Sequence, residues 1–169
     1  MTPIIHFRKH LTAPLPAVVA PGFLVRAFRS PDDIPVWLAL RERAMAEERP
    51  TARSWTAAEF QREMTGKSWW RDDWTWVAVS LAGPQSLVGA VTLALREGAA
   101  STVPVVHWLL VDPAFRRRGI ARLLMSHLEQ AAWEAGWREV QLETHAGWSV
   151  AVAFYQSIGY AVPRDRSPR

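Results

Sequence analysis

Apolar residues follow one another closely from Val103 to Val111 and stop at Asp112-Pro113, where the fixed proline φ breaks an extended run. From Ile120 they recur at helical spacing. Ile120, Leu123, Leu124, Leu128, Ala131 and Ala132 take one face, with Arg122, Ser126, Glu129 and Gln130 outward. The pattern predicts a buried strand, a turn and a helix, with Gly136 as the helix stop. Upstream, Phe23, Val25 and Ala27 alternate with Leu24, Arg26 and Phe28 as a strand would. Residues 74–81, 87–95 and 103–111 predict three more strands, joined by turns at Gly83-Pro84 and residues 98–101 into an antiparallel meander. Residues 138–144, with Val140 and Leu142 on one face, predict a strand parallel to the one ending at Val111, because a crossover helix connects them. Two such strands can splay beyond the turn and leave a slot.

Helix signals fill the remainder. Ser30 is expected as an N-cap with Pro31 in the first helical position and Asp32 and Asp33 in the first turn. This helix should run to about residue 47, burying Ile34, Trp37, Leu38 and Arg41, with Pro50 ending the segment. Thr56 and Glu59 have the spacing of a capping box for a helix to about residue 64. Ser149 is expected to cap a last helix through Ser157 whose apolar face is Val150, Phe154 and Ile158. Gly159 stops it, and Tyr160, Ala161 and Val162 follow as a closing strand. The predicted fold is α/β (α+β): a central mixed, mostly antiparallel sheet with flanking helices and one splayed parallel strand pair.

A length of 169 residues suits one domain, which we place at residues 23–165. Residues 1–22 contain Pro3, Pro14, Pro16 and Pro21 and read as an extended or partly disordered leader; the stretch 11–20 is too short and proline-broken for a signal-peptide core. With no cysteine there is no disulfide, thiolate nucleophile or cysteine metal site, and five scattered histidines lack ligand spacing, so no metal is expected. This composition fits the cytoplasm. No apolar run is long enough for a bilayer. A net charge of +4 favours an acidic partner, but the basic residues cluster densely only at 116–118, which argues against nucleic acid. Ten tryptophans are the oddity: Trp69, Trp70, Trp74 and Trp76 cannot all point inward from one segment, so some should line a cleft.

The turn before Ile120 has the chemistry of a phosphate cradle. The first helical turn offers unpaired N–H groups and the positive end of the dipole, and Gly119 and Ala121 leave room for close approach. Arg116, Arg117, Arg118 and Arg122 add charge. Arg116-x-x-Gly119-x-Ala121 resembles the [QR]-x-x-G-x-[GA] signature of the GNAT superfamily of acyl-CoA-dependent N-acyltransferases. Ala151-x-x-Phe154-Tyr155-x-x-x-Gly159-Tyr160 resembles that superfamily's A-x-x-[FL]-Y-x-x-x-G-[FY] segment, in the same order and spacing. Two departures stand out. Trp148 replaces the asparagine often found three residues before the alanine, and little chain follows Tyr160 for the family's final strand. One expectation is that the leader around Ile4 to Lys9 fills that sheet edge.

The resemblance implies the GNAT fold and acetyl-CoA as donor. Pantetheine would bond the backbone of Leu109, Leu110 and Val111, and the pyrophosphate would rest on N–H groups from Arg117 through Gly119, Ile120 and Ala121 to Arg122, with Trp148 nearby. An N–H near Leu110 would polarise the thioester carbonyl. Tyr155 is the implied general acid, His107 the candidate base for the acceptor ammonium, and Glu143 the fallback. Arg41, Glu47, Glu48, Trp69, Trp70 and Asp73 are candidates for acceptor binding, where indole faces and acids suit a cationic amine. The leading function is N-acetylation of a small-molecule primary amine. The alternatives are a protein or peptide N-acetyltransferase and a non-catalytic acyl-CoA-binding sensor. A homodimer is left open.

Overall fold

The computed structural model describes residues 3–84, 86–97 and 101–163. A six-stranded sheet runs in the order β1-β6-β5-β4-β3-β2, with β1 Ile4–His10, β2 Phe23–Ala27, β3 Thr75–Ser80, β4 Leu87–Glu97, β5 Thr102–Val111 and β6 Glu139–His145. Neighbours are antiparallel except β5 and β6, which are parallel. Helices α1 (Ile34–Met45) and α2 (Ala57–Phe60) cover one face and α3 (Ile120–Glu134) the other, while α4 (Ser149–Ser157) follows β6. The mixed, mostly antiparallel architecture follows the apolar patterning. The turn placed at residues 98–101 falls largely outside the described residues.

The leader is a working part of the sheet. Ile4 through His10 pair in register with His145 back to Glu139, so β1 forms the edge that the sequence left without a final strand. Phe7 points from it into the core under α3 and α4, only 2% exposed. The chain then crosses the α3 face: Leu11 is buried, Leu15 packs on the core, and Ala20 is buried near Gly119. The predicted closing strand reduces to one bridge, Ala161 with Arg8, on the far side of β1.

Three local expectations are corrected. Helix α1 begins at Ile34, not after Ser30. The Asp33 carboxylate is occupied by Arg26 and the Arg29 N–H, holding residues 29–33 as a turn, and Ser30 bonds Asp72 instead. Trp148, not Ser149, is the N-cap of α4, and Val150 is 75% exposed, so the buried residue of that helix is Tyr155. Glu129, expected outward, is buried in α3 because Lys9 of β1 reaches it at 2.7 Å. The Thr56–Glu59 capping box forms as read, although the helix continues from Gln61 to Thr65 as a π-type turn.

Gly89 explains how closely α3 approaches the sheet. A Cβ there would sit 2.8 Å from Ile120 Cγ2 and 3.0 Å from Leu124 Cδ1, so glycine in β4 lets the first turns of α3 lie directly on the strands.

Removing the Phe7 side chain should show that β1 belongs to the cooperative unit. Phe7→Ala is expected to cost about 3 kcal/mol, which corresponds to a melting temperature lower by roughly 10 °C. An unchanged midpoint in thermal and urea unfolding would contradict this placement.

Candidate active site

The site begins where β5 leaves β6. Their one registered pair is Val105 with Gln141; beyond it β5 has no partner on that side, while β6 stays with β1 as far as His145. On its other side β5 pairs His107 with Thr92 and Leu110 with Ala90, so Trp108 and Leu109 together oppose Val91 alone. This is a β-bulge, and Trp108 adopts φ +51° to make it. The left-handed region is costly for an indole-bearing residue, and bulges of this kind re-aim a strand. Here the bulge turns the 109–111 edge away from β6 and opens a slot.

At the end of the slot Asp112 fixes the turn. Its carboxylate accepts from the Ala114 N–H at 3.0 Å and from Arg43 Nε of α1 at 2.7 Å, and its own N–H returns to the Val88 carbonyl. Arg117 (φ +65°) and Gly119 (φ +84°) then curl the loop into α3. Among the described residues the N–H groups of residues 117–122 find no acceptor within the protein. They form an anion cradle at a helix N-terminus, as the sequence implies, and together with the free β5 edge they fit the pyrophosphate and amide-bearing arm of CoA.

The arginines around the cradle have other work. Arg116 binds Glu47 at 2.8 Å and the Ala44 carbonyl at 3.2 Å, fastening the loop to the C-terminus of α1. Arg118 lies over the Phe23 and Phe115 rings, and Arg122 bonds Ser157 of α4. Only Arg117 is without such a contact among the described residues. The cradle is therefore chiefly a backbone device, and of the arginines expected to add charge-assisted bonds, Arg116 and Arg118 already have partners within the protein.

The wall over the slot is aromatic. His107 is half-buried with its ring 5.3 Å from Trp69 and 6.0 Å from Trp108, and burial lowers its pKa to about 4. It is consequently neutral at physiological pH. Trp108 also packs on Trp37 and Trp55, and Arg41 lies over Trp55 at 4.3 Å and Trp108 at 5.1 Å. On α4, Tyr155 is buried against Phe7, Phe154 and Tyr160. Burial, reinforced by the negative charge of Glu48, raises its pKa, so the phenol holds its proton. Arg49 spans the slot from the loop after α1: Nη2 is 2.6 Å from His145 Nε2, and the guanidinium lies over the Trp148 ring. Trp148 thus serves this bridge.

Several predicted residues lie elsewhere or are already engaged. Asp73 pairs with Arg71 and lines a depression on the α3 face beside Trp74, Trp76 and His127, away from the acceptor wall. The four neighbouring tryptophans divide by sheet face, Trp69 and Trp70 packing with α1 and α2 and Trp74 and Trp76 with α3. Trp70 is a packing residue between Phe28 and Phe60. Glu47 belongs to Arg116, and Glu143 is held by Arg96 and approached by His6. Trp55, Trp108 and Arg49 were not anticipated. The only signal for them was the density of tryptophan on both sides of Arg41.

A splayed parallel pair, a bulged strand and a backbone cradle at the following helix together make up the site. Residues 37–160 match the model of the acetyltransferase (GNAT) family, and the chain belongs to that family. It is 33% identical over 161 residues to the mycothiol acetyltransferase of Thermobispora bispora, an alignment covering 90% of this chain and 52% of that protein. The chain spans about half the length of the first curated relatives it matches. Among solved structures, a GCN5-related N-acetyltransferase from Sphaerobacter thermophilus superposes with a TM-score of 0.74 at 22% identity, over 95% of this chain and 48% of that one. An aminoglycoside acetyltransferase from an uncultured soil metagenomic sample gives a TM-score of 0.62 at 22% identity, over 80% and 86% of the two chains.

The His107 environment makes a stability prediction. The unfolded chain protonates this imidazole near its ordinary pKa of about 6.5, whereas the folded chain does so near 4, so stability falls as pH drops from about 6.5 to about 4. The urea midpoint of His107→Gln should fall less than that of the wild type between pH 7 and pH 4.5. Parallel losses in the two proteins would contradict a neutral, buried imidazole.

Proposed function

We propose that this chain transfers the acetyl group of acetyl-CoA directly to a primary amine of a small molecule. The observation that carries the reading is the unpaired β5 edge leading into a cradle of backbone N–H groups that have no acceptor among the described residues. Family membership and the relatives named as mycothiol and aminoglycoside acetyltransferases support it.

Acetyl-CoA supplies an activated thioester. In our reading the Leu109, Leu110 and Val111 backbone aligns the pantetheine arm, an N–H near Leu110 on the unpaired side of β5 polarises the acetyl carbonyl, and residues 117–122 anchor the pyrophosphate. Tyr155 protonates the departing sulfur. Its raised pKa lowers its acidity, but the thiolate forms in the same low-dielectric slot, where its own basicity rises with it. His107, neutral at working pH, passes the ammonium proton to water; with a pKa near 4 it relays a proton better than it stores one. The aromatic wall from Trp69 to Trp55 positions the acceptor.

A thiol-release assay with acetyl-CoA against small amines and N-terminal peptides tests this, with thermal shift reporting cofactor binding. Turnover of small amines is expected. Stabilisation without turnover would indicate a sensor, and turnover confined to peptides a protein acetyltransferase. Tyr155→Phe should lower kcat by about 10²-fold or more while the Kd for acetyl-CoA changes less than twofold; unchanged kcat would remove Tyr155 from the mechanism.

A further inference from the structure

Two hydrogen-bond donors in the wall formed by α1 have nothing to donate to. Nε1 of Trp37 and Nε of Arg41 are wholly buried and unpartnered. They stand one helical turn apart on the same face of α1, and both side chains press on the indoles of Trp55 and Trp108. Arg41 is only 7% exposed, yet no carboxylate pairs with it among the described residues. Its one polar contact is from Nη1 to the Arg53 carbonyl at 3.5 Å, the outer limit of a hydrogen bond.

The surrounding charges do not supply a counter-ion. Arg49 and Arg53 repel the guanidinium, and the Glu59 carboxylate is already taken by Arg53 and the Thr56 cap. Glu42 is on the exposed side of the helix. A buried cation is ordinarily paired or ligated, because burial penalises the charged form. Stacking on two indoles stabilises the faces of the guanidinium but leaves its edge donors unsatisfied. Edge donors are what receive a carboxylate, and on Arg41 the terminal nitrogens are the ones a ligand can reach, Nε being sealed in the box. Nη2 is not among the wholly buried unpartnered atoms, so this edge reaches open space. The box also abuts the reaction centre, since Trp108 directly precedes the Leu109 edge and its ring neighbours His107.

From this arrangement we infer that Arg41, boxed by Trp55 and Trp108, binds a carboxylate on the acceptor, so that the acceptor is an amino acid or a close analogue. The inference rests on the reading of the chain as an N-acetyltransferase and names the acceptor class for it. It reverses the polarity suggested by the acids near the tryptophans: Glu47 is neutralised by Arg116, and Asp73 lies on the opposite face of the sheet.

The test compares matched acceptors in the full chain with acetyl-CoA: L-phenylalanine, L-phenylalaninamide and phenethylamine, and likewise L-leucine, L-leucinamide and isopentylamine. The acid of each set should exceed both relatives by at least tenfold in kcat/KM, mainly through KM. Arg41→Gln should bring those ratios close to one, and Arg41→Lys should restore part of the preference, melting temperatures serving as the folding control. No preference for the acid in the wild type overturns the inference, as does an equal loss on all three acceptors in Arg41→Gln. If nothing is turned over, calorimetry with the same compounds decides: tenfold tighter binding of the acid than of its amide supports the carboxylate site, and equal binding overturns it. Failure to bind acetyl-CoA would instead overturn the acetyltransferase reading, and the calorimetric comparison would still stand apart from it.

Discussion

Between Val105 and Gln141 the parallel strands β5 and β6 are bridged, and a few residues later they have separated. Separation is costly in the middle of a sheet, because each strand surrenders backbone partners that must be met elsewhere. The bulge at Trp108 and Leu109 makes it tolerable by re-aiming β5 while β4 still holds its other side. Strand β1 does the same for β6, pairing along its outer edge as far as His145. Among the described residues the inner edges are thus left without a protein partner beyond Val105 and Gln141, and they belong to the surface on which the proposed chemistry takes place.

Charge around the slot is used mainly to fasten parts together. Arg43 with Asp112 and Arg116 with Glu47 tie α1 to the turn that carries the cradle, and Arg122 ties α3 to α4. Exposed pairs of this sort each contribute little to stability. Their value is geometric, since they hold three separate elements in one relation to the β5 edge. The anion site proper is made of backbone N–H groups and one left-handed glycine, neither of which a change in surface charge removes.

Most of the architecture was legible because it is local. Period-two runs gave the strands, period-3.6 spacing gave α3, and Gly159, left-handed at φ +96°, marks the end of α4 where the pattern placed it. The GNAT motifs located both sides of the slot. What escaped was set by partners distant in sequence. The continuous apolar run around Trp108 conceals a bulge, since periodicity has no signature for a residue that leaves the ladder. Glu129 looked solvent-facing until Lys9 arrived from β1, and Arg116 looked free until α1 brought Glu47 beside it. Arg41 was read as a residue of the α1 face, but its sequence position carried no hint of its missing counter-ion.

The position of β1 also sets an order on assembly. Its residues are made well before those of their hydrogen-bonding partners in β6, more than 120 positions further along the chain. Until β6 exists, β1 has no strand to pair with, so this edge of the sheet is completed by a contact between segments far apart in sequence. Such long-range closure is slow and leaves a pairing-competent edge open in the meantime. The β1 strand of a second molecule is chemically identical to the missing one and could occupy that edge, so the same feature that completes the sheet provides a natural route to strand exchange during synthesis at high concentration.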